Sequence, residues 1–194
     1  MKYYAVKKGR NPGIYTSWDL CLKEVKGFSN ASYKSFKTRA EAENFLKGQE
    51  KEVEIDENTI IAYVDGSFNL KSKTYGAGVV FVGREKIEKF SKSYTDSYYI
   101  HRNVAGEVKA SELAIKKAID QGYKKIIIHH DYQGIASWAE GDWKRNNELT
   151  MAYKEFVDGA RKKVDIGFVK VKGHSNDKYN DMADALAKAA CGIE

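Results

Sequence analysis

The sequence predicts an α/β protein in two parts, a five-stranded mixed sheet with helices on both faces preceded by a small α+β module. Three observations lead there. Apolar runs of strand length alternate with stretches of helical period over residues 58–194. The run Lys125–His130 is β-branched, too short for a helix and flanked by breakers, which marks a buried parallel strand beside an antiparallel meander. Charge is also uneven. Residues 1–47 hold ten Lys or Arg against four Asp or Glu, while the rest of the 194-residue chain balances at 23 of each sign.

In the first module, residues 2–6 alternate as a short strand, Asn11-Pro12-Gly13 marks a turn and Ile14-Tyr15 opens a second strand. Ser17 is placed to cap a helix over Trp18–Val25, with Gly27 just past its end, and Ser32–Phe36 reads as a third strand. Thr38, followed three residues on by Glu41, forms a capping box for a last helix whose Ala42, Phe45 and Leu46 face inward. The module is thus residues 1–47. Residues 48–57 are polar, mostly acidic and without apolar period, and read as a linker. The second domain, 58–194, opens on an apolar strand at 60–64. Strands at 76–82 and 86–94 form a meander around Gly83-Arg84, and a helix over 104–121 stops at Gly122. After Lys125–His130 come helices over 132–138 and 149–161, a strand over 166–171 and a final helix over Lys178–Ala190.

No apolar run approaches a membrane span, and the residues after Met1 lack the apolar core of a secretory leader. Cys21 and Cys191 stand too far apart in sequence to form a metal-ligand pair. A cytoplasmic protein with reduced thiols and no membrane partner is expected.

Four acids carry the chemistry. Asp65 follows the strand at 60–64, and Asp131 follows Lys125–His130. Glu107 shares a helix face with Ala110, Ala114 and Ala118, while Asp184 shares one with Asn180 and Asp177. An acid that ends an apolar strand is costly to desolvate without compensation, and the local sequence offers no obvious Lys or Arg partner. Ligands of open α/β sheets gather beyond the strand C-termini, where four acids would repel one another without a cation. Hard oxygen ligands favour Mg²⁺ or Mn²⁺ over zinc. In the first module, Trp18 and Tyr33 stand among Lys8, Arg10, Lys34 and Lys37. Rings stack on sugar or base and ammonium groups meet phosphate, which is what a nucleic-acid backbone needs. Tyr4, Phe28 and Phe36 read instead as core.

These residues carry a resemblance. Tyr4-Ala5-Val6, Gly9-Arg10, Pro12-Gly13-Ile14-Tyr15, Trp18, Cys21, Val25, Gly27-Phe28 and Tyr33-Lys34-Ser35-Phe36 resemble the hybrid-binding domain at the front of many type 1 ribonucleases H. Tyr63-Val64-Asp65-Gly66-Ser67, Asn103 ahead of Glu107, Asp131-Tyr132-Gln133, Lys172-Gly173-His174 and Asn180-Asp181-Met182-Ala183-Asp184 resemble, in order, the ribonuclease H catalytic domain. The resemblance implies a ribonuclease H-like fold and an endonuclease that cuts the RNA strand of RNA–DNA hybrids. It implies two Mg²⁺ ions, with Mn²⁺ as a substitute, and 5′-phosphate and 3′-hydroxyl ends. It gives the metals to Asp65, Glu107, Asp131 and Asp184, with Asp65 bridging, and gives His174 a part in water activation or product departure. Gly66, Ser67, Asn103 and Gln133 would read the hybrid's minor groove, while Trp18 and Tyr33 pack on the DNA strand and Lys34 meets phosphate. A monomer is expected. Ser35 and Val104 stand where several relatives carry Lys and Asn, and residues 140–148 lack the longer basic protrusion of some relatives, whose grip the front module would supply. Two rival readings remain, a DNA-cutting or strand-transferring enzyme on the same fold and a non-enzymatic binder of hybrid or double-stranded RNA. The Gly173-His174 loop and the front module weigh against the first, and the full set of acids against the second.

Overall fold

Successive side chains of β1 (Tyr3–Lys8) leave opposite faces of a three-stranded sheet ordered β2-β1-β3, in which β2 (Gly13–Tyr15) and β3 (Ser32–Phe36) both run antiparallel to β1. On one face Val6 packs with Cys21 and Val25 of α1 (Trp18–Val25). On the other lies α2 (Arg39–Leu46), whose Phe45 ring meets Phe36 at 5.4 Å. Both helices start as the sequence expects. The Ser17 side chain accepts from the Leu20 N–H, and Thr38 and Glu41 complete the capping box, each such cap contributing about 1 kcal/mol.

This computed structural model describes residues 2–36, 38–47, 56–172 and 177–193, and the chain divides into two units, Met1–Glu54 and Ile55–Glu194. Asp56, expected in the linker, lies in the second unit, where its carboxylate accepts the Asn58 N–H in the turn that enters the large sheet.

That sheet has the order β6-β5-β4-β7-β8. Strands β4 (Thr59–Asn69), β5 (Thr74–Val82) and β6 (Ile87–Tyr94) form the antiparallel meander, and β7 (Lys125–His130) and β8 (Asp165–Lys170) continue it in parallel. Alternation again sorts the faces. Ile60, Ala62 and Val64 of β4, Ala77, Val79 and Phe81 of β5, and Ile126 and Ile128 of β7 bury one face under Ala110, Ala114 and Ile115 of α3 (Asn103–Asp120). The helices α4 (Gly134–Glu140) and α5 (Glu148–Ala160) add Ile135, Tyr153 and Val157 to that core. Each fully buried Ile or Val contributes about 1.5–3 kcal/mol. The opposite face is crossed by α6 (Lys178–Ala190), which buries Ala183 and Ala187. The expected mixed sheet with helices on both faces is therefore present.

Some boundaries differ from expectation, two of them near the acids. The strand expected to close at Val64 runs on to Asn69, so Asp65 sits inside a strand and not at its end. Its two neighbours explain this: the antiparallel ladder with β5 continues to Asn69↔Thr74, while the parallel ladder with β7 stops at Tyr63↔His129. The helix expected from residue 132 begins at Gly134, because Asp131-Tyr132-Gln133 makes the turn out of β7. A short 3-10 turn, Ser97–His101, precedes α3. Both cysteines are buried and free, and no helix among the described residues is long and apolar enough to cross a membrane.

Candidate active site

Strand parity brings two of the acids together. Asp65 lies two residues beyond Tyr63, and Asp131 two beyond His129, the register partner of Tyr63. Asp65 keeps the parity of its strand, and Asp131, in the turn just past β7, lines one cleft with it and with Asp184 of α6. Glu107 arrives from the other face, on the first turns of α3. It reaches the same point because helix and strand touch backbone to backbone: a Cβ on Gly66 would come 2.0 Å from the Glu107 amide nitrogen. On the α6 side the same device recurs. A Cβ on Gly78, the register partner of Asp65, would come 2.1 Å from the Ala183 carbonyl oxygen. Asp184 follows directly, so the close approach of α6 is what delivers the fourth acid.

Asp65, Glu107 and Asp131 each offer an oxygen, and these atoms lie within 4.8 Å of one another. Asp65 is 9% exposed and Glu107 6%. With Asp184, Asn180 and Lys188 they line a cleft of about 290 Å³, whose lining also includes Gly66, Ser67 and Asn103. Asp65 Oδ1 accepts the Gly66 N–H at 2.7 Å, yet burial, then Asp131 and Asp184, push its carboxyl up to about 6. Burial first, then Asp65 and Asp131, hold Glu107 well above the usual carboxylate range. Its Oε2 is buried with no hydrogen-bond partner among the described residues. Acids held this close take up protons unless a positive charge joins them. An orphaned buried oxygen within a set of hard oxygen donors fits Mg²⁺ or Mn²⁺.

Asp184 corrects one expectation. It stands outside the close trio, and its Oδ2 accepts from Lys188 Nζ at 2.7 Å, so this acid does have a basic partner in its local sequence. A Lys four residues after an Asp on a helix was the signal for it. The sequence marks His130 only as a strand residue ahead of Asp131 and gives no signal for Lys170, yet both support the Asp131 turn. His130 is fully buried and its Nδ1 meets the Tyr132 carbonyl at 2.9 Å; burial pushes the imidazole down to about 4. The Lys170 ammonium donates to the Asp131 carbonyl. Both therefore hold the turn that presents Asp131. His129 packs on Tyr63 with ring centroids 4.6 Å apart, as a strand residue should.

The remaining candidates divide. Gly66, Ser67 and Asn103 border the cleft, whereas the exposed Gln133 donates to Ser137 Oγ at 3.1 Å, outside the lining. His174 lies outside the described residues, as does Lys37. In the front unit, Trp18 and Tyr33 are 41% and 45% exposed with ring centroids 5.9 Å apart, and Tyr4 joins Trp18 at 5.8 Å. Lys34 is not beside them. As the next residue of β3 it leaves the opposite face, with Nζ 5.9 Å from the Phe36 ring centroid.

The trio predicts a pH-dependent response to metal. Asp65 titrates near 6 in the fold against about 3.9 in an unfolded chain. The folded state binds that proton more tightly, so its stabilisation is complete below about pH 4 and is lost as pH rises through about 6. Above that, the metal-free fold carries a penalty on the order of 2–3 kcal/mol. Thermal melts should show Mg²⁺ raising Tm clearly at about pH 7.5 and far less near pH 5, where protons already neutralise the site. A Tm that Mg²⁺ leaves unmoved at the higher pH counts against a cation site here.

A mixed sheet with Asp65, Glu107 and Asp131 converging beside it is an arrangement of the kind that metal-dependent phosphodiester hydrolases use. The family described as RNase H matches residues 57–192, and that described as Ribonuclease H1 N-terminal domain matches residues 2–46. The chain belongs to the ribonuclease H family, whose members are endonucleases. Human Ribonuclease H1 is 23% identical over 96% of this chain and 88% of its own length. Two solved structures share the catalytic fold. RNase H1 from the archaeon Halobacterium salinarum NRC-1 matches with a TM-score of 0.59 and 22% identity, over 69% of this chain and 98% of that one. LC11-RNase H1, solved in complex with RNA/DNA hybrid, matches with a TM-score of 0.55 and 16% identity, over 68% and 98%.

Proposed function

We propose that this chain hydrolyses the RNA strand of RNA–DNA hybrids with two Mg²⁺ ions, for which Mn²⁺ substitutes, and leaves 5′-phosphate and 3′-hydroxyl ends. The convergence of Asp65, Glu107 and Asp131 within 4.8 Å, with Asp184 brought alongside by α6, carries the reading. Asp65, Glu107, Asp131 and Asp184 would together hold the ions, and the family resemblance gives Asp65 the shared, bridging place. Bound there, the ions supply an activated water and charge for the leaving oxygen. The chain's own residues do the placing. The Gly66 N–H fixes Asp65, and the His130 and Lys170 contacts fix the turn under Asp131. Ser67 and Asn103 line the cleft, where contacts to 2′-hydroxyls would distinguish RNA from DNA. Gln133, exposed and outside the cleft lining, would join them through the amide oxygen that its bond to Ser137 leaves unused. By family resemblance, His174 handles the proton or the departing product, a role suited to a mobile acid–base group. A cytoplasmic monomer completes the reading. The test is cleavage of end-labelled hybrid, duplex DNA and duplex RNA with Mg²⁺ or chelator. Hybrid alone should be cut, in the RNA strand, and only with metal. Equal cleavage of duplex DNA, or cutting in chelator, would overturn the proposal.

The front module is assigned the grip on substrate. Removing residues 1–50 should leave turnover at saturating hybrid and weaken binding. The log K against log salt slope should flatten by about 0.9 for each phosphate the shortened protein no longer neutralises. Trp18→Ala and Tyr33→Ala should each lose about 1–3 kcal/mol of binding if they stack. Lys34→Ala, on the opposite face, should change mainly the salt slope. A salt titration of binding reads all four. Equal affinity and slope for the truncated protein would assign the module another task.

A further inference from the structure

The four acids are not equivalent in charge balance. Among the described residues, Asp65, Glu107 and Asp131 carry no ion pair, while Asp184 Oδ2 is already held by Lys188 Nζ at 2.7 Å. Lys188 lines the same cleft, and its charge also acts on Asp65. The backbone beneath this pair has little freedom. Cβ atoms on Gly76 and Gly78 would come 2.0 and 2.1 Å from the Ala187 and Ala183 carbonyl oxygens, so α6 lies directly on β5. Any rearrangement at Asp184 must then come from side chains. The ammonium has an exit, because the Lys188 side chain is 43% exposed and that of Asp184 30%.

The first divalent ion relieves the uncompensated trio. An ion that needs Asp184 meets an oxygen already in use, and a single and a double positive charge a few ångströms apart repel strongly. We propose that Lys188 is an internal counter-ion that competes with a divalent cation for Asp184 and thereby weakens the Asp184-dependent metal site. The competition rests on the metal-site reading under Proposed function and deepens it. Its sense is opposite to that of a Lys that merely orients a ligand, whose loss would weaken metal binding.

The experiment is a Mn²⁺ titration of the full-length protein without nucleic acid, with free ion counted by electron paramagnetic resonance. Lys188→Gln should tighten the Asp184-dependent binding by about three- to fivefold, the range of a part-exposed ion pair. Lys188→Arg, which keeps the charge, should leave it near the wild-type value. Asp184→Asn should remove that binding in both the wild-type and the Lys188→Gln backgrounds. Equal or weaker Asp184-dependent affinity in Lys188→Gln overturns the competition while leaving the metal site intact. Mn²⁺ binding untouched by Asp65→Asn overturns the metal-site reading itself and the competition with it, so the two failures are told apart.

Discussion

Asp65→Asn should abolish cleavage while hybrid binding and the fold persist. The residue is placed by an uninterrupted ladder with β5 and by the Gly66 N–H, and an amide of the same shape keeps the strand and fits the same space. What it loses is the charge that two ions would share. Several kcal/mol of transition-state stabilisation go with it, about 10³-fold or more in turnover at roughly 4 kcal/mol. The groups that grip phosphate and sugar lie elsewhere, so Kd for hybrid should change little. Stability should move the other way. Burial and the Asp131 and Asp184 charges disfavour ionised Asp65, so the amide should raise the metal-free Tm near pH 7 and diminish the Tm response to Mg²⁺. Turnover and metal-free melts on the same preparations check both. Near-normal turnover in Mg²⁺ would sink the bridging role.

The acids were legible in the sequence because each carries a local mark that survives without the fold. Asp65 and Asp131 follow β-branched runs, and Glu107 recurs with alanines at helical spacing. Register then made them one site, through Tyr63↔His129, which no local pattern encodes. The apolar run stops at Val64, so the sequence alone ends the strand there, although pairing with β5 carries it on to Asn69. Tertiary pairing overrode weak β propensity there. Trp18, Tyr33 and Lys34 read as one cluster by sequence proximity, yet strand alternation divides the neighbours Tyr33 and Lys34 between faces. That division follows from period 2 alone and was available beforehand. The glycines of β5 were not readable in this way. Gly76-Ala77-Gly78 looks like ordinary strand, and only the helix packed across it shows why side chains are missing.

That packing yields the second large effect. Gly78→Ala places a Cβ 2.1 Å from the Ala183 carbonyl oxygen and 2.7 Å from the Ala187 nitrogen, both backbone atoms that no rotamer can move. The helix α6 must lift from β5 or the strand must bend. Overpacking of this kind costs about 1–3 kcal/mol or more. Function should suffer beyond stability, because Asp184 rides on the turn of α6 that is displaced. A misplacement of about 1 Å can cost on the order of 10²-fold in rate. Gly159→Ala supplies the control. It is the same chemical change within α5, at a position where an added Cβ meets nothing within 4 Å, and α5 gains helix propensity. It should be neutral or stabilising by about 0.5–1 kcal/mol, with turnover unchanged. Chemical denaturation and steady-state cleavage of both variants decide the matter. The expected pattern is a Gly78→Ala protein that is less stable, binds hybrid and cleaves slowly, beside a Gly159→Ala protein at least as stable as wild type. A fully active Gly78→Ala protein of unchanged stability would mean that α6 does not lie on β5 as closely as this, and that Asp184 reaches the cleft by some other path.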